Sequence, residues 1–334
     1  MFEDKFSAVI FVLYIVLSVN QGLIVTAAKN SDNEYSFNFT TVVLIMEFNK
    51  LFVSVAAYLM KNSVQSLQGE IFQNIKLALL YMLPAALYCL YNNLQFVNLT
   101  NFDPTTYYIL LQSRIVITGF IYQMFFSVRL NLKQWMSLVI LTFGCIIKQV
   151  DLLNLHQLST YDVQILSYAA ILILTQVTCS SLASVYIELL LKSRSNKVDI
   201  WVQNIFMYSA SIVCNMFILW FNGNLFDAIS SENIDSLCKF PVLFIIVNWV
   251  GLGLVTSLFL KKLNSILKTF ASAVDLLLIA ILSNYFFAVP LTVFTIISVV
   301  IVMLAIWIYS KDPIRPKVVV ESNTIIASII QILR

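Results

Sequence analysis

Arg114 stands near the middle of PTTYYILLQSRIVITGFIYQMFF, residues 104–126, a stretch long enough to cross a bilayer and holding no other charge. A charged side chain at the centre of a membrane helix costs roughly 2.5–3.5 kcal/mol on insertion scales. A chain that keeps one there sets it against a partner, a water-filled cavity or a charged ligand. Other ionisable residues share the setting. LIMEFNKLFVS places Glu47 and Lys50 three residues apart, on one helical face. LNSILKTFASAVDLLL places Lys268 near one end of another apolar run, with Asp275 two turns further in. The cations Lys50, Arg114 and Lys268 outnumber the anions Glu47 and Asp275, so internal pairing leaves room for an anion. The plainer reading makes Glu47–Lys50 and Arg114–Asp275 structural clasps, and Lys268 a side chain that snorkels to the interface.

Two aromatic–amide pairs accompany the charges. In LPAALYCLYNNLQF, Tyr88 and Asn92 are four apart and share a face on which they offer a ring and an amide to a base or ribose; Tyr91 and Asn93 point elsewhere. Pro84, in the same run, is expected to bend the helix. WVQNIFMYSAS repeats the spacing with Asn204 and Tyr208, and TCSSLASVYIELLLK adds Ser180 and Ser181. A lone Asn or Ser in a membrane helix is more often interhelical glue. Enzyme chemistry has little to work with. The single histidine, His156, falls in a loop, metal ligands do not cluster, and Glu188 and Asp275 lie in different spans without a nucleophile motif.

The elements that must position these residues are membrane helices. The 334 residues are 60% hydrophobic and only 11% charged, against about a quarter charged in soluble domains. Apolar runs read as spans at 6–28, 39–60, 77–97, 104–126, 133–150, 164–191, 202–221, 241–260, 266–286 and 291–309. Lys and Arg concentrate at the termini and in alternate loops (Lys61, Lys76, Arg129, Lys133, Lys192, Arg194, Lys197, Lys261, Lys262), whereas the opposite loops hold only Lys29, Lys148 and Lys239. Both termini are therefore expected in the cytosol. The sequons at Asn38 and Asn98 fall on the opposite, luminal face, close to the membrane. The five cysteines show no metal or redox spacing and read as small buried hydrophobes. FFSVRLNL at 125–132 recurs as FFAVPLTV at 286–293, each joining the fourth span of a five-span half to the fifth. Five is odd, so the halves must be inverted. The expected fold is an all-α polytopic membrane protein of ten transmembrane helices in two inverted five-helix repeats, 1–155 and 156–311, with a cytosolic tail at 312–334. The tail's IIASIIQILR is too short to span.

MEFNKL, LYCLYNNLQFVNLTNFDPTTYYILLQSRIVITG, CSSLASVYIELLLK, VQNIFMY and LKKLNSILKTFAS follow one another in the order and spacing of the nucleotide-sugar transporters of the drug/metabolite transporter superfamily, which the chain resembles over about 6–311. FDPTTYY, CIIKQVD and NSILKTFASA look most like the family's UDP-galactose transporters. The resemblance implies a Golgi antiporter that brings UDP-galactose to the lumen in exchange for UMP and uses no cofactor. Another UDP-sugar, such as UDP-N-acetylglucosamine or UDP-glucose, a nucleotide, or a non-transporting scaffold are the alternatives. Its partners would be these ligands and the lipid bilayer, with no nucleic acid; pairing with a second copy or a glycosyltransferase is left open. By the same resemblance Lys50, Arg114 and Lys268 meet phosphate, and Tyr88, Asn92, Asn204, Tyr208 and Ser180 or Ser181 meet nucleoside or sugar. Arg114 replaces the lysine of many relatives, keeping the charge and gaining a bidentate grip. Two residues depart from the family pattern. Leu111 stands where many relatives have tyrosine, with Tyr107 and Tyr108 one turn earlier, and Thr269 replaces a common glycine. Glu47 and Asp275 would serve as internal partners.

Overall fold

The computed structural model describes residues 5–29, 35, 37–102, 104–126, 131–155, 160–194, 198–221, 230, 235, 237–263 and 265–311. These residues form twelve helices and no strand; one isolated bridge joins Lys29 to Tyr35. The helices are α1 (Lys5–Ala27), α2 (Phe39–Leu59), α3 (Val64–Gln73), α4 (Ile75–Asn101), α5 (Pro104–Leu111), α6 (Arg114–Phe126), α7 (Leu132–Leu155), α8 (Thr160–Arg194), α9 (Ile200–Phe221), and, completing the chain, α10 (Phe240–Lys262), α11 (Ser265–Phe287) and α12 (Val293–Lys311).

Six stretches are long and apolar enough to cross a membrane: α1, α2, α4, the 168–191 part of α8, α9 and α10. Shorter apolar segments lie at Val274–Phe287 and Val293–Ile308. The protein is thus a multi-pass, all-helical membrane protein. Local chemistry sets several boundaries. Asn38 caps α2, its Oδ1 accepting from the Thr41 N–H at 3.2 Å, and Ser63 caps α3 in the same way through Ser66. Pro241 sits in the first turn of α10, where its missing N–H costs nothing, and Lys261 and Lys262 close its last turn. Helix α4 runs on through Pro84. Ala288, the residue after α11, has φ 52°, the left-handed conformation that ends helices.

The expected span at 104–126 is in fact broken. The N–H groups of Gln112, Ser113, Ile115 and Val116 each bond the carbonyl three residues back, so the chain tightens to a 3₁₀-type turn between α5 and α6. The apolar run continues across the break, which is why its composition conceals it. Helix α3, also unforeseen, is short and mostly exposed. Residues 127–130 of the repeat copy at 125–132 lie outside the described residues, as do His156 and the tail at 312–334.

The described chain divides into two compact units that interleave along the sequence. The first takes residues up to Phe96 and Tyr186–Asn264; within it α2 packs on α9 and α10, and α1 on α10. Asn248 of α10 donates to the Leu17 carbonyl at 2.9 Å and to Gln21 Oε1 at 2.8 Å of α1, and Tyr81 of α4 donates to Gln203 of α9 at 2.7 Å. The second unit takes Val97–Val185 and the helices from Ser265 onward; within it α7 packs on α12, and α11 on α5, α6 and α12. A Cβ at Gly144 would lie 3.0 Å from Val302 Cγ2, so α7 and α12 approach closely there and a larger residue would make Val302 and Ile301 give way by a few tenths of an ångström.

The two sequons part company. Asn98 is 0% exposed and donates to Gln176 Oε1 at 2.7 Å inside the second unit. A glycan on its Nδ2 would not fit this packing. Peptide mass spectrometry of protein made in eukaryotic cells is expected to find Asn98 unmodified; a glycan there would contradict this packing.

Candidate functional site

In the first unit, α2 supplies Glu47 and Lys50, whose Oε1 and Nζ lie 2.7 Å apart with side chains only 3% and 5% exposed. The ammonium also stands over the Tyr208 ring of α9, 5.5 Å from its centroid. Behind it lies Gly253 of α10: a Cβ there would fall 2.7 Å from Lys50 Cε and 3.2 Å from Nζ. The missing side chain is the slot in which Lys50 lies. Asn204, one turn before Tyr208, donates to Ser257 Oγ at 3.0 Å. Tyr88 is half-buried and lies within electrostatic reach of Tyr208. Tyr91 does not turn away from it, for the two rings meet edge to face at 6.1 Å. Asn92 is buried, and Asn93 is turned elsewhere, donating to the Cys89 carbonyl at 2.8 Å and to Asn215 Oδ1 at 3.1 Å.

In the second unit, Arg114 opens α6 immediately after the break. Its carbonyl accepts from Ser181 Oγ at 3.5 Å, and the same Oγ accepts from Thr118 at 2.9 Å. Lys268 Nζ donates to Ser184 Oγ at 3.2 Å and lies within electrostatic reach of Arg114. Lys268 is 7% exposed, so it turns inward instead of snorkelling to an interface. Ser180 and Asp275 are each 1% exposed, Asp275 two turns beyond Lys268 on α11. Tyr107 is taken up in a buried polar chain: its hydroxyl accepts from Gln176 Nε2 at 2.8 Å, and Asn98 donates to the same glutamine.

The structure therefore gathers Glu47, Lys50, Tyr88, Asn204 and Tyr208 in one unit, and Arg114, Ser181 and Lys268 in the other. Several contributors escaped the sequence reading. Ser184, the partner of Lys268, is three residues beyond Ser181 in CSSLASVYIE, so helical spacing could have pointed to it. Gln112 was visible as an amide two residues before Arg114. The use of Gly253 has no sequence signal, because it depends on what another helix puts opposite. Among the described residues no group of His, Cys, Asp and Glu could hold a metal ion, and Cys89, Cys179, Cys214 and Cys238 are free thiols.

Comparison with known proteins agrees with the sequence motifs. A family profile described as "Nucleotide-sugar transporter" matches residues 3–310. The UDP-galactose transporter senju of Drosophila melanogaster is 44% identical, over 94% of this chain and 88% of its own. CMP-sialic acid transporter 1 of Oryza sativa subsp. indica is 27% identical over 89% of this chain and 92% of its own, and UDP-galactose translocator 1 of Caenorhabditis elegans 27% identical over 84% and 80%. A solved crystal structure only 13% identical superposes over 91% of this chain and 97% of its own with a TM-score of 0.53, a likeness of fold alone.

The buried Glu47–Lys50 pair makes a direct prediction. Lys50→Met leaves the Glu47 carboxylate buried without its counter-ion, a change that costs about 3–5 kcal/mol when one partner of a buried pair is removed. A lower melting temperature in detergent is expected, largely restored when Glu47→Gln is added. A single variant as stable as wild type would contradict the pairing.

Proposed function

The chain belongs to the nucleotide-sugar transporter family, and on that footing we propose that it carries UDP-galactose from cytosol to Golgi lumen in exchange for UMP, by alternating access. The 44% identity with a UDP-galactose transporter over 94% of the chain supports the choice of sugar. The observation that carries the reading is the pair of buried like charges, Arg114 and Lys268, held within electrostatic reach of each other in an apolar chain. Two cations within electrostatic reach of each other in low dielectric repel. A phosphate or diphosphate turns that repulsion into binding energy, and the planar guanidinium suits it.

The topology follows from the same proposal. The twelve helices read as ten crossings, with α5 and α6 one crossing broken at its middle and α3 lying outside the count. The halves 1–155 and 156–311 are inverted repeats, and both termini and the tail at 312–334 face the cytosol. Substrate sites in such carriers form on interrupted helices, and Arg114 lies just past an interruption. We assign Lys50, Arg114 and Lys268 to phosphate, and Tyr88, Asn92, Tyr107, Ser180, Ser181, Asn204 and Tyr208 to nucleoside and sugar. Glu47 balances Lys50 in the empty protein, and Asp275 balances Arg114. Phosphate competes with the carboxylates for these cations, so occupancy changes what the cations contact, the Lys50–Tyr208 approach between α2 and α9 among them. That differential interaction is what a ligand needs to shift a carrier between states.

The test is counterflow in proteoliposomes preloaded with UMP, with UDP-galactose, UDP-glucose, UDP-N-acetylglucosamine, CMP-sialic acid and GDP-mannose labelled outside in parallel. Uptake of UDP-galactose that depends on internal UMP and is lost in Arg114→Ala is the expected outcome. Preference for another label would reassign the substrate. Folded protein that moves none of them would overturn the transport reading in favour of a scaffold.

A further inference from the structure

We propose that Gln112 is a positioning residue whose reciprocal hydrogen bonds with Ser272 set the spacing of Arg114 and Lys268, and so tune the protein for a phosphate-bearing ligand over a neutral one. The inference rests on the reading of those two cations as phosphate-binding.

Gln112 lies on the break between α5 and α6 and is 1% exposed. Its Nε2 donates to the Ser272 carbonyl at 3.0 Å and to the Tyr108 carbonyl at 3.2 Å, while its Oε1 accepts from Ser272 Oγ at 3.1 Å. One side chain thus bonds both the backbone and the hydroxyl of a single residue on another helix. Ser272, 2% exposed, follows Lys268 by four residues and shares its face of α11. Arg114 follows Gln112 by two. The clamp therefore ties the chain just before one cation to the helical turn just after the other.

Such a tie answers a physical need. Like charges do not hold themselves at a fixed distance, so surrounding contacts must do so. Ser184 holds the Lys268 ammonium, and Ser181 and Thr118 hold the first turn of α6 through the Arg114 carbonyl. Gln112–Ser272 is a direct side-chain link from the break to α11. At an overwound turn, where the ladder is weakest, the link also decides the direction in which α6 starts. General helix glue would stabilise the fold without favouring any ligand. A spacer of cations must act on anions selectively.

The experiment is equilibrium dialysis on purified full-length protein with labelled UMP, inorganic pyrophosphate and uridine. It compares wild type, Gln112→Ala, Ser272→Ala, the double variant and Ser272→Thr, which keeps the hydroxyl. Each alanine variant is expected to weaken UMP and pyrophosphate at least tenfold and uridine less than twofold. The double variant is expected to bind no worse than the weaker single, and Ser272→Thr to bind within threefold of wild type. Unchanged UMP affinity in either alanine variant would overturn the proposal. So would a parallel fall for UMP and uridine, or losses that multiply in the double variant. If Gln112→Ala fails to fold, the two Ser272 variants carry the same contrast. Wild-type protein that binds pyrophosphate but not UMP would sink the nucleotide-sugar reading and leave this inference to the pyrophosphate series. Wild type that binds neither would sink both.

Discussion

Charge held inside an apolar exterior is the constraint on which everything else in this protein depends. Glu47, Lys50, Arg114, Glu188, Lys268 and Asp275 are all 9% exposed or less, while Phe52, Val247, Trp220 and Trp307 are each more than half exposed. A soluble protein arranges its side chains the other way round. In lipid the outward face needs no polar group, and the expense of inward charge is met by a partner or a function. Packing follows from this. Helices approach through small residues such as Gly144 and Gly253 and are joined by amides such as Asn248 and Asn204.

The two units meet the constraint in different ways. Lys50 is answered on the spot by the Glu47 carboxylate and the Tyr208 ring, in a slot left open by the glycine opposite. Arg114 and Lys268 share a sign and lie within electrostatic reach of each other, with Ser184 accepting from the Lys268 ammonium and Ser181 donating to the Arg114 carbonyl. Two buried cations within electrostatic reach of each other are what the proposed phosphate site uses.

Much of the fold was legible in the sequence because hydrocarbon thickness imposes a length. An apolar run of about twenty residues declares a membrane helix, and the boundaries of α1, α2, α9 and α10 fall close to where that rule puts them. The break at Gln112–Ser113 was not legible, because 3₁₀ tightening changes hydrogen bonding without changing hydrophobicity. The short α3 hid for the opposite reason, lacking the length and apolar content of a span. In the candidate site, spacing rules recovered Glu47–Lys50 and the Asn204–Tyr208 face. They missed Ser184, Ser272 and Gly253, whose use depends on which helix each one faces. Helix neighbours come from tertiary packing, and the interleaved units show how far that departs from chain order.

The claim that the same-sign pair exists for an anionic ligand is tested most directly by the melting temperature of the purified protein against UMP concentration, in wild type and Lys268→Met. Ligand that binds only the folded state at a hundred times its Kd stabilises it by about 2.7 kcal/mol. We expect a concentration-dependent rise for wild type with UMP, none with uridine at the same concentrations, and none with UMP for a folded Lys268→Met. An equal rise with uridine, or a full response to UMP without the lysine, would contradict the claim.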